Sequence, residues 1–136
     1  MSGARPRVTA TARHRATGAA VTLALYRVPD PEKRGIVSLG REGRVTGFVE
    51  KPNPRQIATN LISAGIFVVE PRVLPDIPEG EFCDFGHDLF PALLGRRERL
   101  YAIKPDAYIQ DIGTPERLAK AARDHASGLA GLARQS

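Results

Sequence analysis

The sequence of 136 residues has one cysteine, one methionine and no tryptophan, and only 6% of it is aromatic. A single thiol, Cys83, excludes an internal disulfide framework. No apolar run reaches the roughly 18 residues of a membrane-spanning helix and the start has no apolar signal core, so a soluble cytoplasmic protein without a membrane partner is expected. Neither Phe nor Tyr precedes Tyr26, and no acidic residue precedes Asp30. Arg5, Arg7, Arg13, Arg15 and Arg27 therefore attract phosphate by charge but have no stacking platform beside them, and no specific nucleic-acid binding is expected. The other 15 of the 20 basic residues match the 15 acidic ones, so the net charge of +5 belongs to the N-terminal stretch and the body is neutral. Also missing are a Gly-x-Ser-x-Gly elbow, a Walker loop and a dinucleotide glycine pattern. His14, His87 and His125 fall on an arm, a cap region and a helix without metal spacing, which argues against zinc.

What is there is 42% hydrophobic, enough for one domain with a modest core. Residues 1–12 mix small residues, Pro6 and charge without periodicity and are expected to be a flexible basic arm; 13–128 should form the domain, and 129–136 a tail. Val21 to Val28 reads as a mostly buried strand. Ile36 to Leu39 and Arg44 to Val49 flank Gly40-Arg41-Glu42-Gly43 as a hairpin. Leu61 to Glu70 is the most continuous apolar run and is expected to be a central strand, with Gly65 marking a bulge or a close backbone approach. Asp84 caps a helical stretch in which Pro91 forbids an unbroken ladder, so two short turns or a kink are expected. Strands at Leu100 to Ile103 and Ala107 to Ile112 follow. Thr114-Pro115-Glu116 combines a capping hydroxyl, proline at the first helical position and a first-turn carboxylate. The helix it starts places Leu118, Ala122, His125, Leu129 and Leu132 on one narrow stripe. Together these elements predict an α/β or α+β sheet domain.

Three stretches carry candidate chemistry. In Gly43-Arg44-Val45-Thr46-Gly47-Phe48-Val49-Glu50-Lys51-Pro52, a carboxylate and an ammonium stand at a strand end that Pro52 terminates. Neighbours on a regular strand point to opposite faces, so either the strand twists before Pro52 or one of the pair contacts ligand, and a solvated edge is the structural alternative. In Asn60-Leu61-Ile62-Ser63-Ala64-Gly65-Ile66-Phe67, Asn60 and Ser63 offer hydrogen bonds to a ligand and Gly65 offers space, while a buried hydroxyl bonded to backbone is an equal alternative for Ser63. In Tyr108-Ile109-Gln110-Asp111-Ile112-Gly113-Thr114-Pro115-Glu116, Asp111 is either a metal ligand or a turn former accepting from backbone amides. Asp84-Phe85-Gly86-His87-Asp88 reads as a structural helix start.

This ordered set of motifs, over about His14 to Ala122, resembles the second half of the catalytic domain of the sugar-phosphate nucleotidyltransferases. The resemblance implies a partial Rossmann-like domain with a mixed sheet, a β-hairpin and a C-terminal helix. It also implies transfer of a nucleotidyl group from a nucleoside triphosphate to a sugar 1-phosphate, giving a nucleotide sugar and pyrophosphate. Catalytic roles would fall to Lys51 and Asp111: Lys51 on the sugar phosphate, Glu50 on the sugar hydroxyls together with Asn60, Ser63 and Gly65, and Asp111 on Mg²⁺. Mannose 1-phosphate with GTP leads slightly over glucose 1-phosphate with a thymidyl or uridyl donor, on the look of Asn60 to Phe67. The family's N-terminal glycine-rich loop and its other magnesium-binding Asp have no counterpart in Met1 to Ala12. The expectation is therefore a truncated domain that needs a partner chain or a homo-oligomer to complete the nucleotide side. The rivals are a non-catalytic sugar-phosphate-binding or regulatory subunit and an inactive remnant.

Overall fold

The computed structural model describes residues 9–31, 35–49, 53, 55 and 59–128. They fall in two compact units, Met1–Pro105 and Asp106–Ser136, each taken here by itself. The first unit is a mixed α/β structure with a three-stranded sheet, a separate antiparallel hairpin and short helices; the second carries a C-terminal helix.

The centre of the sheet is β1 (Val21–Arg27), whose first five residues are buried. It runs antiparallel to β4 (Leu61–Val69), with Val21 opposite Val69, and parallel to β5 (Leu100–Ile103), with Val21 opposite Leu100. The expected central strand is thus corrected: in the order β4-β1-β5 the run from Leu61 stands at one side of the sheet. Of its nine residues only Ile62 is fully buried. Continuous apolarity identifies a strand without fixing its place, and β1 takes the centre because both of its faces are covered.

The hairpin pairs β2 (Ile36–Leu39) with β3 (Val45–Val49). Its loop reaches the sheet, since Arg44 bridges to Tyr101 and the Arg13 guanidinium donates to the Glu42 carbonyl while lying 5.7 Å over the Tyr101 ring. A buried cluster of Val21, Leu23, Leu25, Val37, Val45, Phe90, Leu93 and Leu100 joins sheet, hairpin and helix. Phe90 lies 4.9 Å from Phe67, 5.7 Å from Phe48 and 5.9 Å from Phe85, ring centre to ring centre, so four of the five phenylalanines form one group. The fifth, Phe82, is 90% exposed.

Two expectations about helices are met or moved. At Pro91 the helical stretch divides as anticipated: a π-turn (Phe85–Leu89) is capped by Asp84, whose carboxylate accepts from the His87 N–H, and then α2 (Phe90–Gly95) starts with proline in its first turn. Residues 10–12, expected in the flexible arm, instead belong to α1 (Ala10–Thr17). Thr9 caps α1 by accepting from the Ala12 N–H, and Gly18 ends it in a left-handed conformation. His14, expected on an arm, is instead the buried residue of this helix. Its Nδ1 lies 2.8 Å from Thr22 Oγ1 and its Nε2 2.6 Å from Glu70 Oε1. The arm residues 1–8 and the tail 129–136 lie outside the described residues.

In the second unit, Ala107 to Ile112 is not a strand, contrary to expectation. Extended residues become a strand only where a partner takes up their N–H and C=O groups, and no described strand pairs with these. Tyr108 instead donates to Asp124 Oδ2 at 2.6 Å, fixing the segment to α3 (Pro115–Ala126). The expected apolar stripe of that helix is also displaced: Leu118 is 54% exposed, and Ala122 and His125 are exposed too. Arg117, Ala121 and Asp124 form the better-covered side, and Leu129 and Leu132 lie outside the described residues. Among the described residues no helix is long and apolar enough to cross a membrane.

Candidate functional site

The end of β3 and the start of β4 are brought together by a second apolar cluster, in which Val28, Ile36 and Ile62 are buried and Tyr26 and Val49 pack against them. Val49 is the last described residue before Glu50, and Ile62 lies between Asn60 and Ser63, so the two sequence motifs meet through their apolar neighbours. Glu50, Lys51 and Pro52 lie outside the described residues.

Asn60 extends the pairing of β1 and β4, its carbonyl accepting from the Val28 N–H at 2.9 Å. Its Oδ1 accepts from Arg27 Nη1 at 2.8 Å. Beyond it the ladder is irregular: Leu25 pairs with Ser63 and Leu23 with Phe67, so Ala24 alone faces Ala64, Gly65 and Ile66. That is the bulge anticipated at Gly65, which adopts φ 75°, a conformation that favours glycine. A Cβ added there would meet no atom within 4 Å. Ser63 Oγ accepts from the Gly65 N–H at 3.2 Å, a backbone use of this hydroxyl as in the structural alternative, but in an exposed bond of a half-buried residue rather than a buried one; it closes the bulge from within.

Asp111 lies in the second unit with both carboxylate oxygens engaged. Oδ1 accepts from the Gly113 N–H at 3.0 Å, the turn-forming use foreseen for it, and Oδ2 accepts from Arg117 Nη1 at 2.5 Å. Thr114 caps the helix that follows, its Oγ1 accepting from the Arg117 N–H at 3.2 Å. Further along, Asp124 Oδ2 accepts from both Tyr108 and Lys120. The bond to Asp124 pushes the Tyr108 hydroxyl up to about 12, while Lys120, and after it Tyr108, hold the Asp124 carboxyl below its usual range. Arg117 was not singled out from the sequence. Its backbone N–H bonds the capping Thr114, but no local pattern signals that its side chain turns back to Asp111.

Among the described residues no group of three or more His, Cys, Asp or Glu side chains is placed to cage a metal. Asp111 fits a different arrangement in donor type: an exposed carboxylate is a hard oxygen donor with lone pairs beyond the two its partners use, and Mg²⁺ takes few protein carboxylates with ligand and water oxygens completing its shell.

A cavity of about 460 Å³, which sequence reasoning did not anticipate, opens beside Asp76, Phe82, Cys83, Leu89, Ala92 and Arg96. Arg96 and Asp76 pair across this region at 2.6 Å. It contains none of the candidate ligand- or metal-binding residues named from the sequence, although Cys83, and Asp88 of the expected helix start, line it. Asp88, which lines it, and the neighbouring Asp84 act as a helix start, Asp88 Oδ2 accepting from the Asp84 N–H at 2.8 Å. That bond, with the neighbouring His87, holds the Asp88 carboxyl below the usual range.

Comparison with known proteins agrees with the motifs. The chain is 37% identical over 118 residues to a mannose-1-phosphate guanylyltransferase of Mycobacterium tuberculosis, covering 86% of this chain and 32% of that protein. It is 36% identical over 107 residues to a UTP–glucose-1-phosphate uridylyltransferase of Synechocystis, covering 77% and 28%. It is 38% identical over 114 residues to a glucose-1-phosphate adenylyltransferase of Thermomicrobium roseum, covering 76% and 25%. The chain thus spans about a third or less of these curated relatives. The sequence profile of the nucleotidyl transferase family matches residues 6–128, nearly the whole chain, and the protein belongs to that family.

Proposed function

We propose that this chain forms the sugar-phosphate side of a site that transfers a nucleotidyl group from a nucleoside triphosphate to a sugar 1-phosphate, releasing pyrophosphate. The observation that carries this reading is the bulge of β4: Gly65 leaves open space beside Ser63, on a strand whose second residue, Ile62, shares an apolar cluster with Val49 at the end of the strand leading to Glu50 and Lys51. In this reading Lys51 neutralises the sugar phosphate, Glu50 accepts from the sugar hydroxyls, and Asn60 and Ser63 add hydrogen bonds. Joining two polyanions demands charge neutralisation and alignment more than a nucleophile, and a lysine with a metal-holding carboxylate suits that task. Asp111 would hold Mg²⁺, which when bound supplies positive charge to the phosphates. Mannose 1-phosphate with GTP is the first pair to test, because a guanylyltransferase acting on mannose 1-phosphate is among the relatives with the greatest coverage of this chain. In this reading the nucleoside triphosphate is held by residues other than those of the sugar-phosphate side, whether in the same polypeptide, a partner chain or a second copy, in a soluble cytoplasmic setting.

A second reading has its own support. The Asp111 carboxylate is already bonded on both oxygens, by Gly113 and Arg117, which favours a sugar-phosphate-binding or regulatory subunit without turnover. The deciding experiment follows pyrophosphate release with Mg²⁺, a panel of nucleoside triphosphates, and mannose or glucose 1-phosphate, beside calorimetric sugar-phosphate binding. Turnover that Asp111→Asn abolishes supports the transferase. Binding without turnover supports the second reading. Lys51→Ala should weaken sugar-phosphate binding by about 1–3 kcal/mol, as expected for a charged hydrogen-bonded contact. Unchanged binding in that variant, with a lowered melting temperature, would make Lys51 structural.

A further inference from the structure

Arg117 stands in the first turn of α3, where the positive end of the helix dipole disfavours a cation. What holds it there is Asp111: Arg117 Nη1 donates to Oδ2 at 2.5 Å while Gly113 occupies Oδ1. The guanidinium is one-third exposed and the carboxylate less than half exposed, so the pair lies at the surface yet is partly shielded. The carboxylate that would hold a divalent cation is therefore already neutralised by a cation of the chain's own.

We propose that Arg117 is a resident competitor of the divalent cation for Asp111, and thereby sets the metal affinity of this site. The inference rests on the reading of Asp111 as a metal-holding residue. Two cations facing one carboxylate repel each other, so Arg117 must give up Oδ2, or share it at an electrostatic cost, whenever a dication is held there. Arg117 also positions the carboxylate, because its Nη1 on Oδ2 and the Gly113 N–H on Oδ1 engage both oxygens before any metal is present. It is a positioning residue, and its effect is read in metal binding itself.

The test is Mn²⁺ titration of the full chain by electron paramagnetic resonance, which counts free Mn²⁺ directly, with Mn²⁺ as the sole added ligand. Removing one charge next to a dication at a partly exposed, salt-screened site should tighten Mn²⁺ binding in Arg117→Gln by about three- to tenfold. Arg117→Lys, which keeps the charge, should stay close to the parent. Unchanged or weakened binding in Arg117→Gln, with a normal helical circular dichroism signal, overturns the proposal. Asp111→Asn separates the two layers. If it loses Mn²⁺ binding while Arg117→Gln behaves like the parent, the competitor role alone fails. If it binds Mn²⁺ as the parent does, the metal reading of Asp111 fails and this inference falls with it.

Discussion

Gly43 and Gly65 hold nearly the same positive φ, 77° and 75°, and yet occupy different surroundings. A Cβ at Gly43 would stand 2.8 Å from the Ala102 carbonyl oxygen, whereas at Gly65 it would meet open space. Alanine at Gly65 carries only the backbone strain of a left-handed residue, about 1 kcal/mol. At Gly43 the same strain is joined by a clash with the backbone of β5, which cannot yield as a side-chain tip can, and the loss should reach about 2–4 kcal/mol. Urea unfolding of the two alanine variants checks this order. Equal losses would mean that the hairpin loop does not press on β5. Both glycines were conspicuous in the sequence, but only Gly65 announced its role, since it interrupts an apolar run. The tight approach at Gly43 joins residues far apart in the chain and leaves no local trace.

The elements divide in the same way. The hairpin, the break before Pro91 and the cap at Thr114 follow from local chemistry and were legible as such. α1 was not, because Ala10–Thr17 has no apolar stripe; Thr9, Gly18 and one buried histidine specify it. His14 joins α1 to Thr22 of β1 and to Glu70 beyond β4, so its loss would strand the hydroxyl of Thr22, which is fully buried. We expect His14→Ala to destabilise the fold by about 2–4 kcal/mol, a cavity and an orphaned polar group together, with amide exchange rising first in residues 10–17. Faster exchange without a fall in overall stability would mean that α1 frays independently of the sheet. The stretch from Ala107 and the stripe of α3 misled for a related reason. Tyr108 to Asp124 and Arg117 to Asp111 are polar contacts without period, and hydrophobic pattern analysis sees none of them. The turn-forming use of Asp111 and the backbone use of Ser63 were readable from short-range rules; what Arg117 does was not.

For the molecule as a whole, every buried hydrophobic residue among those described lies at or before Ala102. A chain ended after Pro105 should therefore keep a cooperative thermal transition and the sheet signal in circular dichroism, with a loss confined to helical intensity. Collapse of that transition would show that the second unit contributes to the stability of the first. Within the first unit, the grouping of four phenylalanines about Phe90 carries a spectroscopic consequence. With no tryptophan in the sequence to dominate, near-ultraviolet ellipticity comes from phenylalanine and tyrosine alone. The sharp vibronic bands of phenylalanine will then report the seating of β3, β4 and α2 against one another, so that an unmodified sample carries its own gauge of tertiary order.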